Sequence, residues 1–194
     1  MNQFKPRILA FAGSTRKDSF NKKLVKIASL GAKEEGADIT IVDLQDFQMP
    51  LYDQDLEQRD GLPINARKFK SLLLMHQGFL ISSPEYNSSI TGILKNTIDW
   101  ASRQESGEIP LACFKDKVAA IMSASPGGYG GLRGLVHLRA ILGNIGTVVI
   151  PDQIAVAKAH EAFDPDGALK DKKQEGQVKM IGAKLTKFVL KLNS

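Results

Sequence analysis

Apolar residues follow two alternating patterns along the chain, which together predict strands separated by helices. Short runs that are apolar on both faces are typical of buried strands, whereas apolar residues spaced three and four apart are typical of helices that pack on one side. By this pattern the predicted strands are residues 7–12, 37–44, 78–83, 117–123 and 147–150. The predicted helices are residues 20–28, 63–76, 92–102, 132–145 and 178–192. Two polar segments that contain proline, residues 46–61 and 158–173, are predicted to be loops.

Five apolar strands that alternate with helices predict an α/β fold, in which a doubly wound parallel sheet is covered by helices on both faces. Right-handed crossovers leave few strand orders for such a sheet. Its ligands bind beyond the carboxyl ends of the strands, where the strand order reverses. The loops after the first, third and fourth strands are therefore the candidate site.

The chain has 194 residues, of which 43% are hydrophobic and 24% charged, and this balance predicts one ordinary globular domain over residues 1–194. Its longest apolar runs are far shorter than the roughly 20 residues of a membrane helix, and no signal-peptide pattern opens it. A single cysteine excludes an internal disulfide framework and a cysteine-based metal cluster. We therefore expect a cytoplasmic protein with no membrane span and no metal.

The net charge of +5 raises the question of an acidic partner. Lysine and arginine are scattered, however, and no basic block is interleaved with aromatic residues as single-strand binding requires. Nucleic acid is therefore not the expected partner. A small anionic ligand accounts for the basic bias as well, because positive potential steers anions into a cleft.

The loop after the first strand concentrates groups that suit a phosphate. They are the hydroxyls of Ser14, Thr15 and Ser19, the guanidinium of Arg16 and the amide of Asn21. A helix follows directly, and the unpaired N–H groups at its start favour a terminal phosphate, to which an arginine adds a bidentate contact. The alternative is an ordinary turn in which Ser19 caps the helix. The triphosphate P-loop and dinucleotide patterns are absent, and so is the cysteine of a phosphatase loop.

The loop after the third strand begins at Pro84 and offers groups that suit a flat heterocycle. Tyr86 presents a planar apolar face for stacking. Glu85 and Asn87 supply acceptor and donor groups for the edge of a ring. The alternative is a surface loop in which Asn87 or Ser88 caps the next helix.

The loop after the fourth strand, residues 123–131, holds four glycines in five positions. Such density suits close approach of the backbone to a flat ligand, because no Cβ intervenes. A flexible linker is the alternative, and it is less favoured between two apolar elements.

Other reactive residues have plainer interpretations than catalysis. His76 follows a helix and is expected to serve its C-terminal end, where a cation is favoured. His137 is expected to be hydrogen-bonded or exposed, and Cys113 to be a small buried hydrophobe. Arg103 and Arg133 fit either an interface or a solvated surface.

Taken together, the three loops resemble the NAD(P)H-dependent FMN reductase family of flavodoxin-like proteins, which includes quinone, chromate and azo-dye reductases. The most specific match runs from Pro84-Glu85-Tyr86-Asn87 to Asp99-Trp100. The other matches are Gly13-Ser14-Thr15-Arg16 with Ser19-Phe20-Asn21, Gly92 with Leu94-Lys95-Asn96, and Gly130-Gly131 with Leu138-Arg139. They occur in the family's order and span nearly the whole chain.

This resemblance implies a flavodoxin-like sheet of order 2-1-3-4-5, one noncovalent FMN per chain, and a homo-oligomer that is a dimer or tetramer. It also implies NADPH or NADH as co-substrate, with quinones or other small oxidants as acceptors. The family's phosphate contacts map onto Ser14, Arg16, Ser19, Phe20 and Asn21. Its ribityl and isoalloxazine contacts map onto Pro84, Glu85, Tyr86 and Asn87, and those on the far side of the ring onto Ser125, Gly127 and Gly128. No amino-acid acid or base is expected to be essential, because the flavin carries the chemistry.

Two positions depart from the family pattern. Asp18 stands where the family usually has a small or uncharged residue, so its carboxylate must turn outward or pair with Lys17 to avoid repelling the phosphate. Thr91 replaces a proline that is common before Gly92, which predicts a less rigid loop.

The alternative function is that of a flavodoxin-like electron carrier, or an FMN-binding module, without turnover of its own. Such carriers resemble this fold but tend to be acidic, whereas this chain carries a net charge of +5. The charge favours the reductase.

Overall fold

Parallel strands and helices alternate through residues 4–193, the part of the chain that this computed structural model describes. The strands are β1 (Arg7–Ala12), β2 (Asp38–Val42), β3 (Gly78–Ser82), β4 (Val118–Ala124) and β5 (Val148–Val156). The helices are α1 (Phe20–Glu34), α2 (Gln54–Asp60), α3 (Ile64–Met75), α4 (Gly92–Ala101), α5 (Leu132–Asn144), α6 (Ala159–Ala162) and α7 (Lys172–Leu192), with a 3₁₀ turn at Leu44–Phe47. The strands form a parallel sheet in the order β2-β1-β3-β4-β5, which confirms the predicted fold class.

Apolar side chains cover both faces of the sheet. One face packs against α1 and α7, and the other packs against α3, α4 and α5. The central strands β3 and β4 are buried along their whole length, which explains the continuous apolar runs that predicted them. None of the helices within residues 4–193 combines enough length with enough apolar character to cross a membrane.

Helices α1 and α7 approach each other so closely that each needs a glycine at the contact. A Cβ at Gly31 would lie 2.0 Å from the carbonyl oxygen of Lys179, and one at Gly182 would lie 2.0 Å from that of Ala28. Both distances are far below van der Waals contact, so only residues without a side chain fit. The contact fixes α7 on the helix that follows the first predicted site loop.

The prediction of a long loop over residues 46–61 is wrong, because the segment contains α2. The carboxylate of Asp53 caps α2 by accepting two backbone N–H bonds in its first turn. The carbonyl of Pro50 accepts hydrogen bonds from the side chains of Asn96 and Trp100, which ties the segment to α4. The acidic residues that looked like loop composition are the cap and first turn of a helix.

The fifth strand is longer than the predicted residues 147–150, and the segment that follows is more than a loop. β5 continues past Pro151, near which its register against β4 shifts. Proline is tolerated there because β5 is an edge strand. Residues 158–173 contain α6 and a bridge between Phe163 and Leu169, so two apolar residues organise a segment of polar composition.

His76 lies at the C-terminal end of α3, as the sequence predicts. Burial lowers the pKa of His76 and outweighs the opposing hydrogen bond to Leu72, so the buried position disfavours the cation. Because a carbonyl only accepts, Nδ1 donates to the Leu72 oxygen (2.6 Å), and Nε2 accepts from the Thr40 hydroxyl (2.8 Å). Cys113 is buried as predicted, and this burial raises its pKa to about 11.

Candidate functional site

Three loops meet at the carboxyl edge of the sheet. We call them the first loop (residues 13–19), the second loop (residues 84–91) and the third loop (residues 125–131), which follow β1, β3 and β4. Because these strands are neighbours in the sheet, the loops that the sequence separates by many residues become adjacent.

Thr91 connects the first loop to the second. Its hydroxyl donates to the carbonyl of Gly13 (2.7 Å) and accepts from the N–H of Leu94 (3.2 Å), so it also caps α4. Two hydrogen bonds thus hold the position that lacks a proline. The same contact shows that neither Asn87 nor Ser88 is the cap of α4.

Backbone N–H groups of the first loop and of the start of α1 are available to a ligand. Those of residues 14, 15, 17, 18, 20 and 21 have no acceptor within residues 4–193. Ser19 occupies the N-cap position of α1, yet its hydroxyl makes no capping bond. Unpaired N–H groups at the start of a helix favour an anion.

Arg16 is exposed, and within residues 4–193 its guanidinium makes one hydrogen bond, from Nη2 to the carbonyl of Asp18 (2.5 Å). Its other N–H groups remain available for a bidentate contact. The Asp18 side chain is exposed, and within residues 4–193 it forms no ion pair with Lys17.

An aromatic pair lies beneath Arg16. The guanidinium carbon is 5.5 Å from the ring centroid of Phe20. The Phe20 ring stacks on that of Phe163, with centroids 5.8 Å apart and planes 13° apart. The ammonium of Lys23 lies 6.0 Å from each of the two centroids.

Asn21 joins α1 to the strand ends and does not face the open loop. Its Nδ2 donates to the carbonyl of Ala124 (2.8 Å), and its Oδ1 accepts from the N–H of Ala124 (2.9 Å) and from the hydroxyl of Ser82 (2.8 Å). The residue is 3% exposed. The side-chain amide therefore supports the strand ends, while the backbone N–H of Asn21 stays available for the phosphate contact expected from the sequence.

The second loop is a tight turn that displays Tyr86. Tyr86 and Ser89 exchange backbone hydrogen bonds of 2.9 and 3.0 Å, and the residues between them, Asn87 and Ser88, have φ values of 51° and 66°. Two positive φ angles between such a pair define a type I′ turn. Tyr86 is 60% exposed, so its ring is available for stacking. Pro84 is half-buried where the chain leaves β3.

The carboxylate of Glu85 fastens the second loop to α5. One oxygen accepts from Nε (3.0 Å) and Nη2 (2.8 Å) of Arg133, and the other accepts from the N–H of Gly134 (3.0 Å). Partial burial raises the pKa of Glu85, but the hydrogen bonds from Gly134 and Arg133 outweigh it, and the pKa lies below its ordinary value. Glu85 is therefore engaged within the protein, where the sequence suggested a contact with a ring edge.

Only half of the glycines in the third loop leave room for a ligand. Gly130 and Gly131 are buried with positive φ, and a Cβ at either would collide with protein atoms. At Gly128 a Cβ would meet nothing within 4 Å, and at Gly127 it would meet only the hydroxyl of Ser125 at 3.7 Å. The backbone at these two positions is open to a flat ligand.

The segment after β5 supports the site in a way that sequence reasoning missed. The N–H of Ala159 donates to the carbonyl of Ser125 (3.0 Å), and that of Lys158 to the carbonyl of Gly127 (3.3 Å). The same segment supplies Phe163 to the ring pair under Arg16. In the sequence, what distinguishes this segment is one aromatic residue, Phe163, within a stretch of polar residues.

Residues 6–161 match the model of a protein family described as NADPH-dependent FMN reductase. The chain belongs to this family. It is 37% identical over 191 residues to the probable NADPH:quinone oxidoreductase 2 of Oryza sativa subsp. japonica, covering 96% of this chain and 90% of the relative. It is 34% identical over 168 residues to an NAD(P)H-dependent FMN reductase of Pseudomonas aeruginosa, covering 86% of each. It is also similar to the solved structure of FerB, a flavoenzyme NAD(P)H:(acceptor) oxidoreductase from Paracoccus denitrificans, with a TM-score of 0.79, 29% identity, and coverage of 96% of this chain and 98% of that one.

As a member of the NADPH-dependent FMN reductase family, the protein is an oxidoreductase with FMN as cofactor and NAD(P)H as co-substrate. The site fits this cofactor. The unpaired N–H groups and Arg16 suit a phosphate, and the open backbone at Gly127 and Gly128 leaves room for a flat ring. An archaeal flavodoxin shares the fold with a TM-score of 0.60 but only 10% identity, so that likeness concerns architecture alone.

Proposed function

We propose that the protein reduces quinones and other small oxidants, including chromate, azo compounds and free flavin, at the expense of NADPH or NADH. With a quinone, NAD(P)H and a proton give NAD(P)⁺ and the hydroquinone, so two electrons pass to the acceptor. One observation carries the proposal: the unpaired N–H groups and Arg16 of the first loop share a sheet edge with the open backbone of the third loop. The quinone oxidoreductase from rice, similar over 96% of this chain, supports the acceptor class.

In this proposal each loop has one task. The groups that surround the FMN phosphate are Ser14, Arg16, Ser19 and Phe20. The groups that line the ribityl chain and ring are Pro84, Tyr86 and Asn87 on one side, with Ser125, Gly127 and Gly128 on the other. Bound FMN supplies the hydride acceptance and electron delivery. Asn21 and Glu85 hold the strand ends and the second loop in place, and no side chain needs to act as acid or base.

Steady-state turnover tests this proposal. We expect the purified, FMN-loaded protein to oxidise NADPH or NADH when a quinone is present, and a panel of quinone, chromate, azo and flavin acceptors defines its range. The same chain stripped of FMN is the control. A chain that binds FMN but oxidises neither nicotinamide would favour the electron carrier.

We expect ping-pong kinetics, because the nicotinamide and the acceptor must use one place in turn. The sequence has no Gly-x-Gly-x-x-Gly and no second phosphate loop that could hold NADPH elsewhere. Hydride transfer needs an approach of about 3–3.5 Å, and a flat quinone needs the same space. Initial rates with both substrates varied should give parallel double-reciprocal lines, with high quinone competing against NADPH. Intersecting lines together with a measurable ternary complex would contradict the model.

We also propose that the protein is a homo-oligomer, a dimer or a tetramer, whose contacts include the helical segment from Gly92 to Arg103 and the residues near Arg133 on α5. Leu132 is 44% exposed and Val136 is 61% exposed on α5, and Tyr129 just before the helix is 71% exposed. Light scattering should give at least twice the chain mass of 21.2 kDa. Val136→Glu should shift the protein towards the monomer, whereas Met180→Glu, on the exposed face of α7, should not. A mass near that of one chain for the unaltered protein at low concentration would contradict the proposal.

A further inference from the structure

Phe163 lies outside the three loops, yet its ring stacks on that of Phe20, over which the Arg16 side chain of the first loop lies. It is 6% exposed, and its ring forms the buried side of the stack with Phe20. The exposed guanidinium of Arg16 lies over the half-buried Phe20 ring. The order from the interior to the surface is therefore Phe163, Phe20 and Arg16.

The segment that carries Phe163 is fixed by its own hydrogen bonds. The N–H of Asp164 donates to the carbonyl of Ala168 (2.9 Å), and the N–H of Lys170 donates to that of Ala162 (3.0 Å). Phe163 thus sits at the closed base of a short loop that is also tied to the third loop through α6. A ring held in this way is a firm support for Phe20.

Arg16 depends on that support. Its one hydrogen bond within residues 4–193 reaches Asp18, which belongs to the same exposed loop and cannot by itself fix the guanidinium relative to the sheet. The Phe20 ring, at 5.5 Å, is the contact that joins Arg16 to the packed body. A cation over an aromatic face is attracted by the ring quadrupole. The Phe20 ring therefore favours one position of the Arg16 guanidinium and also packs against it.

A second cation, Lys23, lies beside the same aromatic pair. Its ammonium is 6.0 Å from both ring centroids and forms no ion pair with a carboxylate within residues 4–193. Lys22, the next residue along α1, is by contrast paired with Asp43 at 2.5 Å. The aromatic pair therefore holds two cations that form no ion pair within residues 4–193, next to the loop proposed to receive a dianion.

We propose that Phe163 is a positioning residue for phosphate recognition: it fixes Phe20, whose ring holds the Arg16 guanidinium where the FMN phosphate binds. The assignment rests on the proposed function, because it requires the phosphate at the first loop. It concerns the part of phosphate recognition that the Arg16 side chain supplies, since the Phe163 ring acts through the Phe20 ring on Arg16.

The experiment compares FMN with riboflavin, which lacks the phosphate. Equilibrium dialysis of the full chain against each flavin should show that Phe163→Leu lowers the affinity for FMN about two- to fivefold and leaves that for riboflavin nearly unchanged. Phe163→Tyr, which keeps the aromatic face, should retain the FMN preference. Phe188→Leu is the matched control, because Phe188 packs against the same core away from the first loop. Phe163→Met replaces the leucine variant if circular dichroism shows that the latter is unfolded.

A double-mutant cycle makes the test specific. If Phe163 acts through Arg16, Phe163→Leu should no longer change the ratio of FMN to riboflavin affinity in an Arg16→Ala background. Equal loss of both flavins, or a change in the ratio that persists without Arg16, would overturn the inference while leaving the phosphate site intact. If Arg16→Ala alone leaves the ratio unchanged, the phosphate assignment in the proposed function fails, and the inference fails with it.

Discussion

Arg16→Ala is expected to weaken FMN binding about ten- to a hundredfold while riboflavin binding stays nearly the same. Only FMN carries the phosphate, and a hydrogen bond to a charged group contributes about 1.5–3 kcal/mol. The guanidinium is exposed and retains N–H groups that the protein does not use, so a phosphate can engage it fully. The measurement is the ratio of the two dissociation constants, obtained by equilibrium dialysis.

Lys17→Ala is the matched control for that experiment. It removes one positive charge from the same exposed loop. The side chain that lies over the Phe20 ring, that of Arg16, is left in place. We expect it to change FMN affinity by no more than about twofold at physiological salt, where exposed charges are largely screened. Equal weakening of FMN and riboflavin by Arg16→Ala would show that Arg16 does not meet the phosphate.

Gly182→Ala is expected to lower the free energy of unfolding by about 3 kcal/mol, at the upper end of the range for overpacked cores. The added Cβ would lie 2.0 Å from the carbonyl oxygen of Ala28, which belongs to helix backbone and cannot rotate away. In a chain of this size such a loss lowers Tm by roughly 6–12 °C. Thermal unfolding at one fixed FMN concentration measures the shift.

Gly176→Ala is the paired control, since it makes the same substitution in the same helix. A Cβ there meets nothing within 4 Å, so the change should stabilise the protein by about 0.5–1 kcal/mol through helix propensity alone. If both variants shifted Tm by the same amount and in the same direction, the α1–α7 contact would not be as close as the structure shows.

The central sheet could be predicted from the sequence because of where its strands lie. β3 and β4 are buried on both faces, and such strands leave continuous apolar runs. Helix α2 could not be found in the same way, because none of its residues is buried and so no apolar period marks it. Asp53, its capping residue, was visible only as one more acid in an acidic segment.

The position of the site could be predicted, but the partners of its residues could not. Arg16 and Tyr86 lie at the sheet edge that the strand order selects. Asn21 and Glu85 belong to the same motifs, yet they bind Ala124 and the start of α5, which are distant in sequence. Those contacts depend on the register of the strands and on how α5 packs against the sheet. Neither can be predicted from a local pattern of residues.

The glycine contact between α1 and α7 also sets an order for biosynthesis. Lys172 lies 138 positions after Glu34, so α1 leaves the ribosome well before its partner helix is made. Until then the face of α1 around Gly31 lacks the helix that packs against it. Phe163, which supports Phe20, is made only shortly before α7. Pairing across so long a separation is slow to form. A nascent chain that stops before α7 therefore exposes the apolar face of α1 that this helix covers in the folded protein.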